Sequence, residues 1–273
     1  MSQLHVQITG SGRPLVLIHG WGMHGGVWQP LVKKLAKQFE LYVVDLPGMG
    51  FSQDISAESL QEIVKALLPQ LPVNADICGW SLGGLVAMSL ALSHPQYVRR
   101  LVLVGSTPRF INTDADAPQP WLNGMAAAVF EKFARQVGED YHATLLKFLT
   151  LQCMGASDAR ATIKQLRHAI AERPVPSAAS LQRALNVLLE NDLREQVASL
   201  RQETLLIHGD RDTLAPVQAA HWLAQHLSAG QLRVIAGAGH APFLSHPQQF
   251  IESIIAFLQT EQSLQSPNPE LTA

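Results

Sequence analysis

The feature that most constrains this fold is a regular alternation of short aliphatic runs with helical patterns. Each run has five or six residues and is bounded by Gly, Pro or Asp, as is typical of strands buried in a parallel sheet. The stretches between the runs carry apolar residues three and four positions apart, the spacing of an amphipathic helix. The alternation predicts an α/β fold, with a mostly parallel central sheet flanked by helices. The runs are LVLIH at 15–19, LYVVD at 41–45, ADICGW at 75–80, LVLVGS at 101–106, TLLIHG at 204–209 and LRVIAG at 232–237.

One long stretch, 111–195, interrupts this alternation because it contains no strand-like run. Proline and acidic residues precede its first helical pattern in DADAPQP, and proline divides it again at RPVPS. We therefore predict an all-helical cap at 111–195, inserted before the last two core strands. The core then comprises 1–110 and 196–260, and the polar, proline-broken segment 261–273 is predicted to be a disordered tail. The four helical patterns of the cap lie at 121–138, 139–154, 157–172 and 177–190.

Composition and charge exclude several classes of protein. Of the 273 residues, 47% are hydrophobic and 15% charged, so the chain can bury a large core. The formal net charge of -2 gives no field that would gather nucleic acid or anionic lipid. The longest uncharged stretch, 77–93, is interrupted by Gly and Ser and is shorter than the roughly 20 apolar residues of a membrane span. The N-terminal residues lack the pattern of a secretory signal, so we expect a cytoplasmic protein. We also expect the protein to be a monomer.

The two cysteines, Cys78 and Cys153, give no sign of a disulfide or a metal site. Neither belongs to a CxxC motif or to a Cys/His cluster with the spacing of metal ligands. We predict that both are inert thiols of the core, and that the protein holds no metal.

The segment GWSLGG at 79–84 contains the pattern GxSxG, with Ser81 at its centre. It follows the strand-like ADIC and precedes the helical LVAMSLAL, which is the strand-turn-helix context of a nucleophile elbow. A sharp turn there strains the serine backbone, and small residues two positions away on each side let strand and helix approach. Ser81 is therefore the predicted nucleophile.

A serine hydroxyl needs a base to take its proton, and the base needs an acid to orient it. In this kind of fold the acid and the histidine follow the serine at later strand ends. TLLIHGDRDTLAP at 204–216 offers Asp210 and Asp212, and AGAGHAPFLSHP at 236–247 offers His240 and His246. We predict Asp212 and His240, while Asp210 is expected to shape its own turn.

The turn HGWG after the first apolar run completes the predicted site. Such a turn can direct the backbone N–H of Trp21 at the same point as the N–H of Leu82, the residue after the nucleophile. We expect these two N–H groups to form an oxyanion hole, and His19 to hold the turn rather than to act in catalysis.

Together these segments resemble the α/β-hydrolase family. The resemblance rests on HGWG, VVDLPGMGFS at 43–52, GWSLGG, GDRD and GHAPF, and extends to Leu258. It implies a helical cap between the sixth and seventh core strands. The family includes esterases, lipases, dehalogenases, epoxide hydrolases, carbon-carbon hydrolases and peptidases, so the fold alone does not choose an activity. Serine at the elbow excludes the dehalogenase and epoxide-hydrolase branches, which carry aspartate there.

Three segments, GWSLGGLVA, FLTLQCMG at 148–155 and GHAPFLSHP, resemble the pimeloyl-acyl-carrier-protein methyl ester esterases of biotin synthesis. This resemblance implies a serine carboxylesterase without a cofactor, acting on an ester bound to acyl-carrier protein. The alternatives are a general short-acyl carboxylesterase, a carbon-carbon bond hydrolase or, more remotely, a non-catalytic binding module of the same fold. The substrate contacts that the resemblance implies are Trp21, Ser81, Leu82, Phe148, Leu149, Thr150, Leu151, Gln152 and His240.

A basic strip in the cap is a candidate docking surface for the carrier protein. At about 100° per residue, Arg160, Lys164 and Arg167 fall on one stripe of a helix. Such a stripe can receive a phosphate and an acidic protein face, or it can be an ordinary solvated surface. The resembling family carries cap arginines where this chain has Lys147, Lys164 and the uncharged Ala143, which weakens the expected docking.

Overall fold

The computed structural model describes residues 3–153, 156 and 159–260, and its centre is a single sheet of seven strands. The strands are β1 (Val6–Gly10), β2 (Arg13–Ile18), β3 (Phe39–Val44), β4 (Ala75–Trp80), β5 (Val98–Val104), β6 (Glu203–Gly209) and β7 (Gly230–Ile235). They lie in the order β1-β3-β2-β4-β5-β6-β7. Strand β1 is antiparallel to β3, and every other neighbouring pair is parallel. The predicted fold class is confirmed.

The six apolar runs of the sequence all form strands, and the sequence prediction missed only β1. This strand reads VQITG, and its side chains are half-buried or exposed. An antiparallel strand at a sheet edge does not carry a continuous apolar run, so it lacks the signal that the six buried strands give. Because the sheet has seven strands, the cap is inserted between the fifth and sixth and not between the sixth and seventh.

Helices cover both faces of the sheet. Side chains alternate along each strand, so Val16 and Ile18 belong to one hydrophobic cluster and Leu15 and Leu17 to the other. The core helices are α1 (Gln29–Leu35), α2 (Leu60–Leu67) and α3 (Leu82–Ser93), and after the cap α8 (Val217–His226), α9 (Pro242–Ser245) and α10 (Pro247–Gln259).

Four helices form the cap between β5 and β6. The segment at 121–126 is not helical as predicted, because the Met125 N–H donates to the Phe110 carbonyl and Ile111 forms an isolated bridge with Met125. The predicted tail at 261–273 lies outside the described residues. None of the helices in the described ranges is long and apolar enough to cross a membrane. The cap helices are α4 (Ala127–Glu139), α5 (Tyr141–Leu151), α6 (Ala159–Ala171) and α7 (Ala178–Glu190).

Two ion pairs made by one aspartate join the points where the chain enters and leaves the cap. Asp192 pairs with Arg109 at 2.8 Å on the entering segment and with Arg194 at 2.7 Å on the leaving one. Partial burial acts to raise the Asp192 pKa, but the hydrogen bonds from Arg194 and Arg109 lower it to about 2. The two ends of the cap are thus held together.

Candidate active site

Ser81 lies in a strained turn between β4 and α3. Because β4 ends at Trp80 and α3 begins at Leu82, a single residue joins the two elements. The Ser81 backbone has φ +56° and ψ -117°, a conformation that costs a residue with a side chain about 1–3 kcal/mol. Its N–H donates to the Val104 carbonyl of β5 at 2.9 Å, and its carbonyl accepts two N–H groups from the first turn of α3. These bonds hold the strained residue in place.

Gly79 and Gly83, two positions before and two positions after Ser81, allow strand and helix to approach closely. A Cβ on Gly79 would lie 2.2 Å from the carbonyl oxygen of Gly83. A Cβ on Gly83 would lie 2.4 Å from the carbonyl oxygen of Ile18 in β2. Both contacts are with backbone, which cannot move aside, so a larger residue at either position would displace the turn.

Asp212 and His240 form a buried hydrogen-bonded pair. His240 Nδ1 lies 2.7 Å from Asp212 Oδ2, and because a carboxylate only accepts, Nδ1 carries the hydrogen and Nε2 keeps its lone pair. Asp212 Oδ1 accepts the N–H groups of Leu214 and Ala215, each at 2.9 Å. Burial acts to raise the Asp212 pKa, but His240 and the other hydrogen-bonding neighbours hold it below its usual value. The acid is therefore ionised and the ring is oriented with Nε2 available as a base.

Backbone contacts fix His240 at the edge of the cavity that contains Ser81. The His240 N–H donates to the Gln152 carbonyl at 2.9 Å, and the His240 carbonyl accepts the Trp80 indole N–H at 2.8 Å. Ser81 and His240 both line this cavity. Within the described ranges they form no hydrogen bond with each other, which is common for catalytic groups in the absence of substrate.

The turn after β2 lies against Ser81. A Cβ on Gly20 would be 3.3 Å from the Ser81 Cβ, so the following Trp21 backbone is close to the elbow. His19 holds the turn, because its Nδ1 donates to the Gly20 carbonyl at 2.8 Å and its Nε2 accepts the Leu46 N–H at 2.9 Å. Both ring nitrogens are thus engaged.

Two backbone N–H groups are available beside Ser81. Leu82 is the first residue of α3, and the N–H groups of a first helical turn have no acceptor within the helix. The Trp21 N–H makes no hydrogen bond with any part of the chain that the structure describes. This arrangement can donate two hydrogen bonds to an oxyanion formed at Ser81.

The cavity between the core and the cap has a volume of about 330 Å³ and is lined mostly by apolar side chains. The Trp21 ring packs edge-on against Phe133 and Phe148 at 5.1 and 4.9 Å between ring centres. The lining residues are Trp21, Ser81, Phe110, Gly124, Met125, Ala126, Val129, Phe130, Phe133, Phe148, Leu151, Leu185, Leu188, Thr213, Leu214 and His240.

The sequence matches the family model of the alpha/beta hydrolase fold over residues 13–247, a range that includes Ser81, Asp212 and His240. The chain belongs to the α/β-hydrolase family. This confirms the resemblance inferred from the sequence motifs.

Relatives and solved structures agree with this membership. The pimeloyl-[acyl-carrier protein] methyl ester esterase of Nitrosomonas europaea is 43% identical over 251 residues, covering 92% of this chain and 98% of that one. The protein of the same name from Vibrio vulnificus is 41% identical over 256 residues, covering 94% and 98%. An esterase structure from Exiguobacterium antarcticum superposes with a TM-score of 0.82 at 22% identity, covering 94% of this chain and 96% of that one, which shows the fold. The predicted class of enzyme, a carboxylic ester hydrolase, is confirmed.

Not every substrate contact predicted for this α/β-hydrolase reaches the cavity. Phe148 and Leu151 line it. Leu149 packs in the opposite core cluster, and Thr150 is exposed, with its hydroxyl donating to a carbonyl of α5. Gln152 is buried away from the cavity lining, and it contacts His240 through its backbone carbonyl. Of the contacts predicted at 148–152, only Phe148 and Leu151, one helical turn apart on the inner face of α5, line the cavity.

The predicted docking residues of this α/β-hydrolase lie on the cap surface. Arg160, Lys164 and Arg167 are exposed on one side of α6, opposite the buried Leu166. Lys147 is exposed on α5 and lies 3.4 Å from the Gln136 side chain.

The structure also places the residues that competed for catalytic roles. Asp210 is exposed and accepts the Gly237 N–H at 2.7 Å, so it shapes the turn as expected. His246 contacts the Ser245 hydroxyl and does not line the cavity. The sequence prediction missed His208, which lies 3.4 Å from the Asp212 carboxylate. A polar ring at the end of an otherwise apolar run was the signal that could have identified it.

The described residues contain no group of three or more His, Cys, Asp or Glu that could hold a metal ion. Both cysteines, Cys78 and Cys153, are buried and unbonded to each other. Burial raises the pKa of Cys153 to about 12 and that of Cys78 further, so neither thiol ionises near neutral pH.

Proposed function

We propose that this enzyme hydrolyses the methyl ester of pimeloyl-[acyl-carrier protein], giving pimeloyl-[acyl-carrier protein] and methanol, in biotin synthesis. The observation that carries the proposal is the apolar cavity that connects Ser81 to the cap. Its lining suits a methylene chain that ends in an uncharged ester. Relatives that are 37% to 43% identical over more than nine-tenths of the chain bear the name of this activity.

In the first half of the proposed reaction, Ser81 Oγ attacks the ester carbonyl carbon while His240 Nε2 takes the hydroxyl proton. The N–H groups of Trp21 and Leu82 donate to the oxyanion that forms. When the tetrahedral intermediate collapses, the bond to the methoxy oxygen breaks and His240 returns its proton to that oxygen. Methanol leaves, and the acyl group remains as an ester of Ser81.

In the second half, water attacks the acyl-enzyme while His240 Nε2 takes a proton from the water. Collapse of the second tetrahedral intermediate breaks the bond to Ser81 Oγ, which regains its proton from His240. The product is the free carboxylate, with the thioester to the carrier intact. Asp212 stabilises the protonated His240 ring in both halves through its hydrogen bond at Nδ1.

The cavity lining also explains why the carboxylate product leaves. Among the described residues that line the cavity, His240 is the only one with a titratable side chain, and none is a lysine or an arginine. A carboxylate buried without a cation or hydrogen-bond donors is strongly disfavoured relative to water. The uncharged ester is therefore bound in preference to the charged acid.

We propose that the carrier protein docks on α6. Arg160, Lys164 and Arg167 form an exposed basic strip there, which suits a phosphate group and an acidic protein surface. The α5 face is less suitable, because Ala143 and Lys147 share a shallow depression with the acidic Glu139 and Asp140. The cytoplasmic location and the monomeric state stay predictions.

The test of the proposed function is methanol release from pimeloyl-[acyl-carrier protein] methyl ester, with p-nitrophenyl acetate as a parallel small ester. We expect the wild type to cleave both, and Ser81→Ala to lower kcat on both by on the order of 10⁶-fold while the protein stays folded. Full activity of Ser81→Ala would exclude the mechanism. If the wild type cleaves only the small ester, the chain is a general short-acyl carboxylesterase.

The docking proposal is tested with charge reversal on α6. The double variant Arg160→Glu/Lys164→Glu should raise KM for the carrier-bound ester by about tenfold, the effect of roughly 1.4 kcal/mol, and leave the small ester unaffected. The matched control is Lys33→Glu/Lys34→Glu, two exposed cations on α1 in the core. Equal effects of the α6 variant on both substrates, or equal effects of both variants on the carrier-bound ester, would refute docking on α6.

A further inference from the structure

A second buried histidine contacts the carboxylate of Asp212. His208 lies near the end of β6, and only 1% of its surface is exposed. Its Nε2 is 2.7 Å from the Ala215 carbonyl oxygen and 3.4 Å from Asp212 Oδ2. Because a carbonyl oxygen only accepts, the ring hydrogen is on Nε2 and donates to Ala215, with the Asp212 carboxylate beside it.

The contacts of His208 and Ala215 enclose the Asp212 carboxylate. The Ala215 N–H donates to Asp212 Oδ1 at 2.9 Å, while the Ala215 carbonyl accepts from His208. The turn that carries Asp212 is therefore tied back to β6, the strand from which it leaves. Asp212 Oδ1 is held by two backbone N–H groups, and Oδ2 faces the rings of His240 and His208. Rotation of the carboxylate would break contacts at both oxygens.

The charge of His208 suits this arrangement. Burial lowers the pKa of His208, although the nearby Asp212 carboxylate acts to raise it, so the ring is neutral near neutral pH. The titratable groups that face His208 are Asp212, His240 and, from α8, His221. A neutral ring beside Asp212 fixes its turn through the bond to the Ala215 carbonyl without cancelling the charge of the carboxylate, and that charge is needed to stabilise the protonated His240 ring.

We propose that His208 is a positioning residue, whose ring ties the turn that carries Asp212 to β6 and so holds the Asp212 carboxylate in the orientation that His240 requires. The inference rests on the proposed function, because it needs Ser81, Asp212 and His240 to act as a triad. His208 itself does not line the cavity and touches no substrate. Its loss should therefore affect kcat and the pH dependence of the reaction more than KM.

The test compares His208→Phe, which removes the N–H donor, with His208→Gln, whose amide N–H can reach the position of Nε2. On p-nitrophenyl acetate we expect His208→Phe to lower kcat by about 10- to 100-fold with little change in KM. Losses of this size are found in metal sites when a residue that orients a metal-binding histidine is removed. The acidic limb of the kcat/KM profile should move to lower pH, since the carboxylate no longer faces the protonated ring squarely. His208→Gln should recover most of the loss.

His226→Gln, an exposed histidine on α8, is the matched control and should behave as the wild type. The downfield proton resonance of His240 Nδ1–H gives a direct reading of the bond to Asp212, and it should shift or disappear in His208→Phe only. Wild-type kcat and pH profile in a folded His208→Phe would overturn the proposal. Equal losses in the Phe and Gln variants, with an unchanged resonance, would also overturn it by showing a purely structural role.

If His208→Phe does not fold, His208→Gln is compared with His208→Asn, whose amide is one carbon shorter. Activity retained with Gln and lost with Asn supports the proposal, and equal activity in the two overturns it. Failure of the proposed function is distinguishable, because it would appear as activity of Ser81→Ala or as a wild type that releases no methanol from the carrier-bound ester. Failure of the present inference leaves Ser81→Ala inactive while His208→Phe works normally.

Discussion

Asp45 and Asp212 are both buried carboxylates that follow parallel strands at the same edge of the sheet, and each lies near two histidines. Asp45 follows β3 and is near His19 and His24. Asp212 follows β6 and is near His208 and His240. Both carboxyl groups have a pKa below the usual value, although burial acts to raise it. The residue types are the same, yet only the Asp212 region is connected to the cavity.

The Asp45 region is a closed network that joins the core to the cap. Asp45 accepts N–H groups from Gly25 at 2.7 Å and Phe51 at 2.9 Å, and it pairs with Arg173 at 2.5 Å. Arg173 follows α6 in the cap, so this ion pair connects cap and core. His19 uses both ring nitrogens within the network. The ring nitrogens of His24 also contact described residues, since Nδ1 accepts the Gly26 N–H at 3.1 Å and Nε2 lies 3.5 Å from the Ile170 carbonyl oxygen.

The Asp212 region differs in two respects. First, its carboxylate has no arginine or lysine partner among the described residues, so its charge remains available to a protonated His240. Second, His240 Nε2 receives no hydrogen bond from any residue in the described ranges, and His240 lines the cavity. The comparison shows that residue types alone do not decide whether a histidine beside a buried carboxylate can act as a base. Two further properties decide it: whether one ring nitrogen of the histidine is free, and whether a cation already neutralises the carboxylate.

The largest effect expected from this comparison comes from replacing each of the two carboxylates with an amide. Asp212→Asn should lower kcat on p-nitrophenyl acetate by about 10⁴-fold, because an amide facing Nδ1 favours the wrong tautomer of His240. The protein should stay folded, since the Asn carbonyl can still accept the N–H groups of Leu214 and Ala215. Asp45→Asn should show the opposite pattern, with a lower unfolding free energy and near-normal kcat per folded molecule. Steady-state kinetics and urea unfolding on both variants would contradict the comparison if Asp45→Asn lost the larger share of activity.

The second prediction concerns the ion pair of the Asp45 region. Arg173→Met leaves the buried Asp45 charge without its cation and should lower the unfolding free energy by about 3–5 kcal/mol. The double variant Asp45→Asn/Arg173→Met removes both charges and should recover much of that loss. Urea unfolding of the two single variants and the double variant measures the coupling. Additive losses, with no recovery in the double variant, would show that the pair contributes no coupling energy.

The sequence carried enough information to predict the sheet and the order of the triad residues. Six buried strands gave continuous apolar runs, and the elbow gave a pattern whose small residues are required by the packing of Gly79 and Gly83. The edge strand β1 was missed because none of its five residues is fully buried and two are exposed. The start of the first cap helix was misplaced because backbone hydrogen bonds around Met125 keep that segment out of the helix. No local sequence pattern predicts these hydrogen bonds.

The limits of the prediction at the site have the same physical origin. Strand ends and chain order identified the two segments that hold Asp212 and His240, but these criteria do not separate Asp212 from Asp210 or His240 from His246. To predict which side chains at 148–152 face the cavity, the rotation of α5 about its axis must be known. Five mixed apolar and polar residues do not determine that rotation. His208 and the Asp45–Arg173 pair depend on residues brought together from distant parts of the chain. Such contacts cannot be read from the sequence of either partner.

The smallest effect is a loss of stability in mild acid that should originate mainly in the Asp45 region. Burial lowers the pKa of His19 from 6.5 to about 4, so the unfolded chain binds a proton between these pH values that the folded chain does not. Stability should therefore be highest above pH 6.5 and fall by roughly 3 kcal/mol as the pH approaches 4. The lowered pKa values of Asp45 and Asp212 act only below their ordinary value of 3.8, outside this window.

Urea unfolding of the wild type and of His19→Gln across this pH range separates the contribution of His19 from that of the other buried histidines. His19→Gln should be less stable at pH 6.5, since it loses the bond from the Leu46 N–H, but its stability should depend less on pH. His168→Gln, an exposed histidine on α6, is the control and should keep the wild-type slope. Equal slopes of unfolding free energy against pH in the wild type and His19→Gln would show that His19 does not cause the acid sensitivity. The sensitivity would then be assigned to His24 and His208, because burial also lowers their pKa values.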